Sequence, residues 1–237
     1  MTLLIGTVAR SAKPSNSHAV ITADGLCTTF DGVVRMVSSS TYQKIFPVPG
    51  YPIVFVHHGE NIIAGMPVKA FLTPFMVQHL TVSEVAISDI AESLTKHADQ
   101  HARNTLASGP NRTIIGFWVA GFSPGRGHPE LIEICWKKEL ASGHIAFGKK
   151  VHGNLVFGGD AKRFVDHYCS MPVDAMFSWD RLPDKNADYA MRFHEKLYRL
   201  AESAQTEKKA ELFGGHKHQI VITRDQWNWT IPPAERP

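Results

Sequence analysis

Thr2 is the residue of this sequence with the clearest capacity for chemistry. Met1 precedes a small residue, and an initiator methionine in that context is normally removed, which would give Thr2 a free α-amine. A threonine hydroxyl beside its own amine is a nucleophile with a built-in general base. The ordinary pKa of such an amine is close to neutral, so it can accept the hydroxyl proton directly or through a water. The sequence therefore predicts acyl transfer at Thr2; the alternative is an ordinary strand residue behind a retained Met1.

Apolar runs on both sides of short polar loops predict the strands that would hold Thr2. Residues 3–9 and 18–24 lack the 3.6-residue period of a helix, and the polar segment 10–16 between them contains Pro14. A hairpin is predicted around Asp31-Gly32, and a buried strand over 52–56 ends at His57-His58-Gly59. Further strands are predicted over residues 113–122, 130–136, 145–147, 155–157, 218–223 and 227–229.

Helical patterns alternate with these strands. Thr81 with Glu84 forms a capping box that predicts a helix to about residue 106, before Gly109-Pro110. Apolar residues over 62–76 predict a helix broken by Pro67 and Pro74. Two more helices are predicted over residues 160–168 and 184–208.

The order of elements predicts one α+β domain over residues 1–237. Strands, two helices, strands, two helices and strands suit a four-layer αββα sandwich, with two central antiparallel sheets and helices on the outside. Neither an internal repeat nor a linker divides the sequence.

Composition narrows the classes of function. The net charge of +3 comes from scattered Lys and Arg without a run of five like charges, so we expect neither a nucleic-acid nor a membrane partner. Cys27, Cys135 and Cys169 are odd in number and widely spaced, which indicates a reducing compartment. Together with the lack of a signal-peptide pattern, this predicts a cytoplasmic protein.

We expect neither a metal nor a cofactor. His97 and His101 are four residues apart on a predicted helix, a spacing that can bind metal, but the sequence offers no evident third ligand near them. The loop Gly125-Arg126-Gly127 lacks the Lys-Ser/Thr that follows a phosphate-binding glycine loop.

Several local patterns together resemble the β-type subunits of proteasomes, in the N-terminal nucleophile (Ntn) hydrolase superfamily. The resemblance is greatest to the bacterial ATP-dependent relative that begins Met-Thr, and it extends over nearly the whole chain. The patterns are the apolar strand over 20–24 that ends in Asp24, the Lys-Ile-Phe of 44–46, Gly59 ahead of a helix, the Phe-Gly-Gly of 157–159, and Gly214-Gly215 before the strand 220–223.

This resemblance implies roles for four residues. Thr2 would attack a carbonyl, Lys44 would favour loss of the hydroxyl proton through its charge, and Asp24 would pair with Lys44. The N–H of Gly59 would face the developing oxyanion. The family also implies a peptide or protein substrate, a ring-shaped homo-oligomer, and, in some members, an ATP-dependent unfoldase as partner.

Departures from the family pattern leave other functions open. Gly159 stands where a serine is usual, Ala210 and Phe213 replace an aspartate and a serine, and Leu26 replaces an arginine. Because those residues support the threonine amine, their absence favours two alternatives within the fold: a non-catalytic ring subunit, or an amidase or transpeptidase with a dedicated substrate. Retention of Met1 would instead favour a binding domain of an unrelated α+β fold.

Overall fold

The computed structural model describes residues 2–31, 34–79, 85–109, 112–158, 185–207 and 213–234 of the 237-residue chain. The predicted helix over 160–168 lies outside these ranges, as do Thr81 and Glu84 of the predicted capping box.

The described residues form fourteen strands and three α-helices. The strands before the first helix are β1 (Leu4–Ala9), β2 (His18–Ala23), β3 (Cys27–Asp31), β4 (Val34–Ser39), β5 (Ile45–Pro47), β6 (Ile53–Gly59), β7 (Ile62–Ile63) and β8 (Met66–Pro67). The helices α1 (Val68–His79) and α2 (Ile87–Ala107) follow. The remaining elements are β9 (Ile114–Phe122), β10 (Pro129–Lys138), β11 (Ile145–Val151), β12 (Leu155–Gly158), α3 (Ala187–Glu207), β13 (His218–Ile222) and β14 (Trp227–Ile231).

Two five-stranded antiparallel sheets form the centre of the fold. The first sheet has the strand order β12-β1-β2-β13-β14, and the second has the order β11-β10-β9-β6-β5. Every residue of β1 and β2 is buried, which explains why both read as continuous apolar runs in the sequence. The predicted α+β fold with two antiparallel sheets is therefore confirmed.

Three apolar cores separate four layers. Helices α1 and α2 pack on the outer face of the second sheet, where Phe55 and Phe75 meet edge to face. Side chains such as Leu4 and Trp118 fill the space between the two sheets. Helix α3 covers the outer face of the first sheet through Phe193 and its neighbours. The central strands of each sheet are thus buried on both faces, whereas the edge strands β11 and β14 are largely exposed. We call the space between the sheets the inter-sheet layer.

The predicted broken helix over 62–76 is wrong in its first part. Strands β7 and β8 form a small hairpin whose turn residues Ala64 and Gly65 both have positive φ, 53° and 75°. Two consecutive residues in this region match the turn that joins antiparallel strands most tightly. Helix α1 begins directly after Pro67 and continues through Pro74.

The start of α2 is set by a residue distant in sequence. Its N-cap position, Ala86, has no side-chain hydrogen bond, and the amide of Ile87 donates instead to Ser123 Oγ at 3.0 Å. Ser123 follows β9, so the second sheet caps this helix. The described helix therefore begins later than the start that Thr81 and Glu84 predict.

A buried polar network joins α3 to the first sheet. His194 lies with Nδ1 2.8 Å from Thr22 Oγ1 and Nε2 3.2 Å from Thr7 Oγ1, and Gln219 donates to Thr22 at 2.8 Å. Burial lowers the pKa of His194 to about 3, with smaller contributions from the charges of His18 and Lys217. The neutral imidazole therefore holds β1 and β2 against the helix.

We expect the protein to lose stability as the pH falls from 6.5 towards 3. The unfolded chain binds a proton at each ordinary histidine below about pH 6.5, but folded His194 stays neutral until about pH 3, so the unfolded state binds more protons in this window. This histidine alone should lower the free energy of unfolding by about 2 kcal/mol as the pH falls from 6.5 to 5. Urea unfolding of the wild type and of His194→Gln at both pH values measures the effect. A wild-type pH slope equal to that of the variant would contradict it.

Candidate active site

Thr2 lies at one end of the first sheet, where the ends of three other strands lie close to the start of β1. Leu4, at the start of β1, pairs with Ala23 at the end of β2 and with Gly158 at the end of β12. Ala23 in turn pairs with His218 at the start of β13. Leu3 belongs to the core under α3 and Leu4 to the inter-sheet layer, so strand alternation directs the side chain of Thr2 towards the inter-sheet layer.

Asp24 and Lys44 form a buried ion pair at this end. The Lys44 ammonium donates to Asp24 Oδ1 at 2.6 Å and to the carbonyl of Leu26 at 2.9 Å, and Lys44 is 3% exposed. Lys44 directly precedes β5 of the second sheet, and Asp24 directly follows β2 of the first. The pair therefore ties the two sheets together beside Thr2.

The carboxylate of Asp24 organises the backbone around it. Oδ1 also accepts the amide of Leu3 at 2.9 Å, and Oδ2 accepts the amides of Leu26 at 3.3 Å and Gly214 at 3.2 Å. One oxygen thus holds both the peptide that follows Thr2 and the ammonium of Lys44. A buried carboxylate with this set of donors stays in a single orientation.

His218 supports the backbone of Lys44, a contact that sequence reasoning missed. The Lys44 amide donates to His218 Nε2 at 3.2 Å, which requires that nitrogen to be unprotonated. Burial, and after it the positive charge of Lys44, lowers the pKa of His218 to about 3. The neutral state that the contact needs is therefore the state that the surroundings favour.

Gly59 ends β6 in a conformation that requires glycine. Its φ of +92° lies in the left-handed region, and a Cβ would stand 2.2 Å from the carbonyl oxygen of Ile114. A glycine is therefore needed at this position for structural reasons alone.

The N–H of Gly59 points away from β9. N–H groups alternate between the two sides of a strand. The amide of Glu60 donates to Ile114 before β9, and the amide of His57 donates to Lys44 before β5, both at 2.9 Å. Gly59 has the parity of His57, so its N–H is directed to the side on which Lys44 lies.

These groups are of the kinds that acyl transfer uses beside a general base. A hydroxyl residue, a cation with its counter-ion and a backbone N–H lie at the end of the sandwich where the two sheets are joined by Asp24 and Lys44. Low exposure of Lys44 and Asp24 removes much of the solvent screening that weakens charge effects at a surface.

Two of the departures from the family pattern fall on described residues. Phe213 is buried under α3 and packs edge to face against Tyr198. Its backbone N–H donates to Gln205 Oε1, and its carbonyl accepts from Gln205 Nε2. Leu26 contributes its backbone carbonyl to Lys44. Gly159 and Ala210 lie outside the described residues.

His97 and His101 pack as aromatic rings between helices. Phe71 of α1 approaches the ring of His97 at 4.9 Å and that of His101 at 5.7 Å. Within the described ranges, no group of three His, Cys, Asp or Glu side chains could hold a metal ion.

None of the helices that the structure describes is long and apolar enough to cross a membrane.

Comparisons with solved structures agree with this architecture. The Anbu (Gly-1) mutant from Hyphomicrobium sp. strain MC1 has a TM-score of 0.51 at 15% identity, over 97% of this chain and 86% of that one. Anbu (ancestral beta-subunit) from Yersinia bercovieri has a TM-score of 0.53 at 13% identity, over 97% and 87%. Neither a protein-family model nor a curated protein matches the chain. At these identities the likeness shows the fold alone, which is that of proteasome-like Ntn hydrolases.

Proposed function

We propose that this protein is an N-terminal threonine hydrolase that cleaves peptide or other amide bonds. After removal of Met1, the hydroxyl of Thr2 attacks the carbonyl carbon and its α-amine takes the proton. The tetrahedral intermediate then collapses: the C–N bond breaks, the α-ammonium gives its proton to the leaving amine, and the acyl group stays on Thr2 as an ester. Water hydrolyses that ester, with the α-amine again as base, which releases the acid and restores the hydroxyl. Lys44 favours the deprotonated hydroxyl by its charge, and Asp24 holds Lys44 in place. The N–H of Gly59 donates to the oxyanion of the tetrahedral intermediate.

One observation carries the proposal. A single oxygen, Oδ1 of Asp24, binds both the amide of Leu3 and the ammonium of Lys44, at 2.9 and 2.6 Å. A buried ion pair often adds little stability compared with apolar side chains in the same place, so stability alone does not explain why this pair is present. A role in catalysis does explain it, because Asp24 binds both the amide that follows Thr2 and the Lys44 ammonium, and so holds the ammonium at a defined place relative to the nucleophile.

An N-terminal mass measurement and a covalent probe test the proposal. A peptide epoxyketone forms a stable ring only with a hydroxyl and a free α-amine that belong to the same N-terminal residue. We expect an intact mass that lacks Met1, and a one-to-one adduct confined to the N-terminal peptide. Retained Met1, or a trimmed and folded chain that takes up no reagent, would overturn the proposed chemistry.

The burial of Phe213 favours a second candidate function, a non-catalytic ring subunit of the same fold. Its phenyl ring lies in the core under α3 and offers no hydrogen bond to an amine, where the family pattern has a serine. An amidase or transpeptidase that acts on a dedicated substrate would tolerate the same loss if the substrate itself helps to position the amine. Epoxyketone labelling distinguishes the non-catalytic subunit from the amidase or transpeptidase, because only the non-catalytic subunit would stay unlabelled.

We predict that the chain assembles into a homo-oligomeric ring. The segment from β8 to α1 buries Phe71 and Phe75 but leaves Met66 42% and Val77 65% exposed, and a partner subunit would cover these apolar side chains. Light scattering at micromolar concentration should give a multiple of 26.3 kDa. Val77→Glu should lower this mass, and Lys96→Glu, at an exposed position of α2, is the matched control. A monomeric wild type would contradict the ring.

A further inference from the structure

The outer edge of the second sheet is an exposed strand. β11 lies at the end of this sheet and pairs with β10 on one side, and among the described residues no strand pairs with it on the other. Every residue of β11 after Ile145 is exposed, including the apolar side chains of Phe147 and Val151. An exposed edge strand that carries apolar side chains is a template for pairing with another chain. This surface lies on a different element from Met66 and Val77, which the proposed ring would cover.

The hydrogen bonds at the two ends of β11 show which of its backbone groups face outward. The amide of His152 donates to the carbonyl of Leu131 at 2.9 Å, and the amide of Glu139 donates to the carbonyl of His144 at 2.8 Å. Backbone groups alternate between the two sides of a strand, and both of these contacts join an even-numbered residue to β10. The odd-numbered residues of β11 therefore direct their N–H and C=O groups away from the sheet.

Most of these outward groups are free to bind another strand. In the part of the chain that the structure describes, no hydrogen bond reaches the backbone N–H or C=O of Phe147, Lys149 or Val151. Arg103 donates to the carbonyl of Ile145 at 2.9 Å. A carbonyl oxygen has two lone pairs, so this one can still accept a second donor.

We propose that β11 pairs antiparallel with β11 of a second copy of this chain, with Gly148 on the two-fold axis. Phe147 then lies opposite Lys149 of the partner subunit, and the two residues exchange both of their backbone hydrogen bonds. Because opposite side chains share a face, the lysine stem covers the part of the phenyl ring that Trp136 leaves exposed. The contact is the same on both copies, so it closes as a dimer.

The length of the strand favours this axis over its neighbours. Gly148 is the middle residue of Ile145–Val151, so the axis pairs the whole strand with itself. An axis at Phe147 would place Val151 opposite Gly143, which has a φ of 71° and lies in the turn from β10. An axis midway between two residues would match outward groups with inward ones and form no ladder.

The two lysines of the strand exclude the remaining axes. An axis at Lys149 or at Lys150 would place two identical ammonium groups directly opposite each other, which is unfavourable. With the axis at Gly148, the lysines lie opposite Phe147 and Ala146 of the partner subunit instead. Lysines on an edge strand discourage indiscriminate pairing. Here they leave one symmetric register in which like charges are not opposed.

Removal of one outward N–H tests the pairing. The N–H of Lys149 points away from β10, so Lys149→Pro removes a donor of the proposed contact and no hydrogen bond within the subunit. The measurement is light scattering at micromolar concentration on Val77→Glu, the variant that disrupts the contact proposed for the ring. We expect the mass of a dimer for Val77→Glu and of a monomer for Val77→Glu with Lys149→Pro.

Lys149→Ala in the Val77→Glu background is the matched control. It removes the same side chain but keeps the N–H, so the dimer should remain. A monomeric Val77→Glu, or a dimer that survives Lys149→Pro, would overturn the proposal and leave this edge to an extended segment of another protein.

Disulfide cross-linking tests the register. The two Gly148 residues would form a non-hydrogen-bonded pair with Cα atoms about 4.5 Å apart, a separation that a disulfide can span. A Cβ at this position meets nothing within 4 Å. Cys135 lies opposite Gly148 on β10, so Cys135→Ala is introduced first to prevent an internal disulfide. We expect Gly148→Cys in that background to yield on oxidation a covalent dimer of twice 26.3 kDa.

Ala146→Cys in the same background is the control for cross-linking. Ala146 is exposed on the same face of β11, but in the proposed register it lies roughly 14 Å along the strand from Ala146 of the partner subunit, too far for a disulfide. Equal yields from Gly148→Cys and Ala146→Cys would indicate random collision and overturn the proposal. A Gly148→Cys protein that forms no covalent dimer would overturn it as well, and this result stands even if Lys149→Pro fails to fold.

Discussion

Thr2→Ala is expected to abolish labelling by a peptide epoxyketone while leaving the fold intact. The ring in the adduct needs the hydroxyl and the α-amine of one residue, and alanine keeps the amine but lacks the hydroxyl. Thr2 is buried just before β1, so removal of its hydroxyl and methyl groups should cost about 1 kcal/mol of stability, which the fold should survive. Mass spectrometry of the N-terminal peptide should show complete loss of the adduct, a rate at least about a thousandfold lower.

Thr2→Ser is the control for this experiment. Serine restores a hydroxyl beside the amine, so labelling should return, although at a different rate because the methyl group that restricts the threonine rotamer is gone. An adduct that persists in Thr2→Ala would show that another nucleophile reacts. Labelling of the wild type on an internal peptide would lead to the same conclusion.

Lys44→Ala is expected to have the second largest effect, a loss of labelling and of amide hydrolysis by about a hundredfold or more. The ammonium is buried and donates to Asp24 and Leu26, so in the proposed mechanism its charge would act on the Thr2 hydroxyl through little water. Alanine also leaves the carboxylate of Asp24 without its cation, and loss of one partner of a buried pair costs about 3–5 kcal/mol. We therefore expect the variant to melt at a lower temperature as well.

A neutralised pair separates the effect on chemistry from the effect on stability. Lys44→Met combined with Asp24→Asn removes both charges and keeps the side-chain volumes, so it should recover part of the stability that Lys44→Ala loses. It should remain as unreactive as Lys44→Ala, because the charge near Thr2 is still missing. If the double variant regains the wild-type rate, the role of Lys44 is packing and not charge. A Lys44→Ala protein that hydrolyses a reporter amide within a few-fold of the wild type would also contradict the assigned role.

Local sequence patterns were sufficient to predict most of the strands and the long helices. The apolar runs that became β1, β2 and β6 are buried on both faces in the middle of the four layers, and such strands have to be continuously apolar. The predicted strands over 113–122 and 130–136 correspond to β9 and β10, and the predicted helix over 184–208 to α3. These predictions succeeded because side-chain periodicity follows directly from which faces of an element are buried.

Element boundaries depended on distant contacts and on turn geometry. Ser123 satisfies the first amide of α2, so the sequence around that helix start does not reveal its cap. The hairpin of β7 and β8 depends on Ala64 and Gly65 in the left-handed region, an uncommon conformation for alanine that local propensity does not predict.

The sequence by itself identified Thr2 as a candidate nucleophile and indicated Asp24, Lys44 and Gly59 as its partners, at separate positions along the chain. Only the tertiary structure brought Asp24 within 2.6 Å of Lys44, tied that pair to the amide of Leu3, and placed His218 under the backbone of Lys44. The physical reason is that hydrogen bonds and ion pairs need atoms within about 3 Å, whereas position along the chain limits separation in space only over short stretches. His218 is 174 residues from Lys44 in sequence; antiparallel pairing of β13 with β2 places it opposite Ala23, next to the Asp24 that binds Lys44.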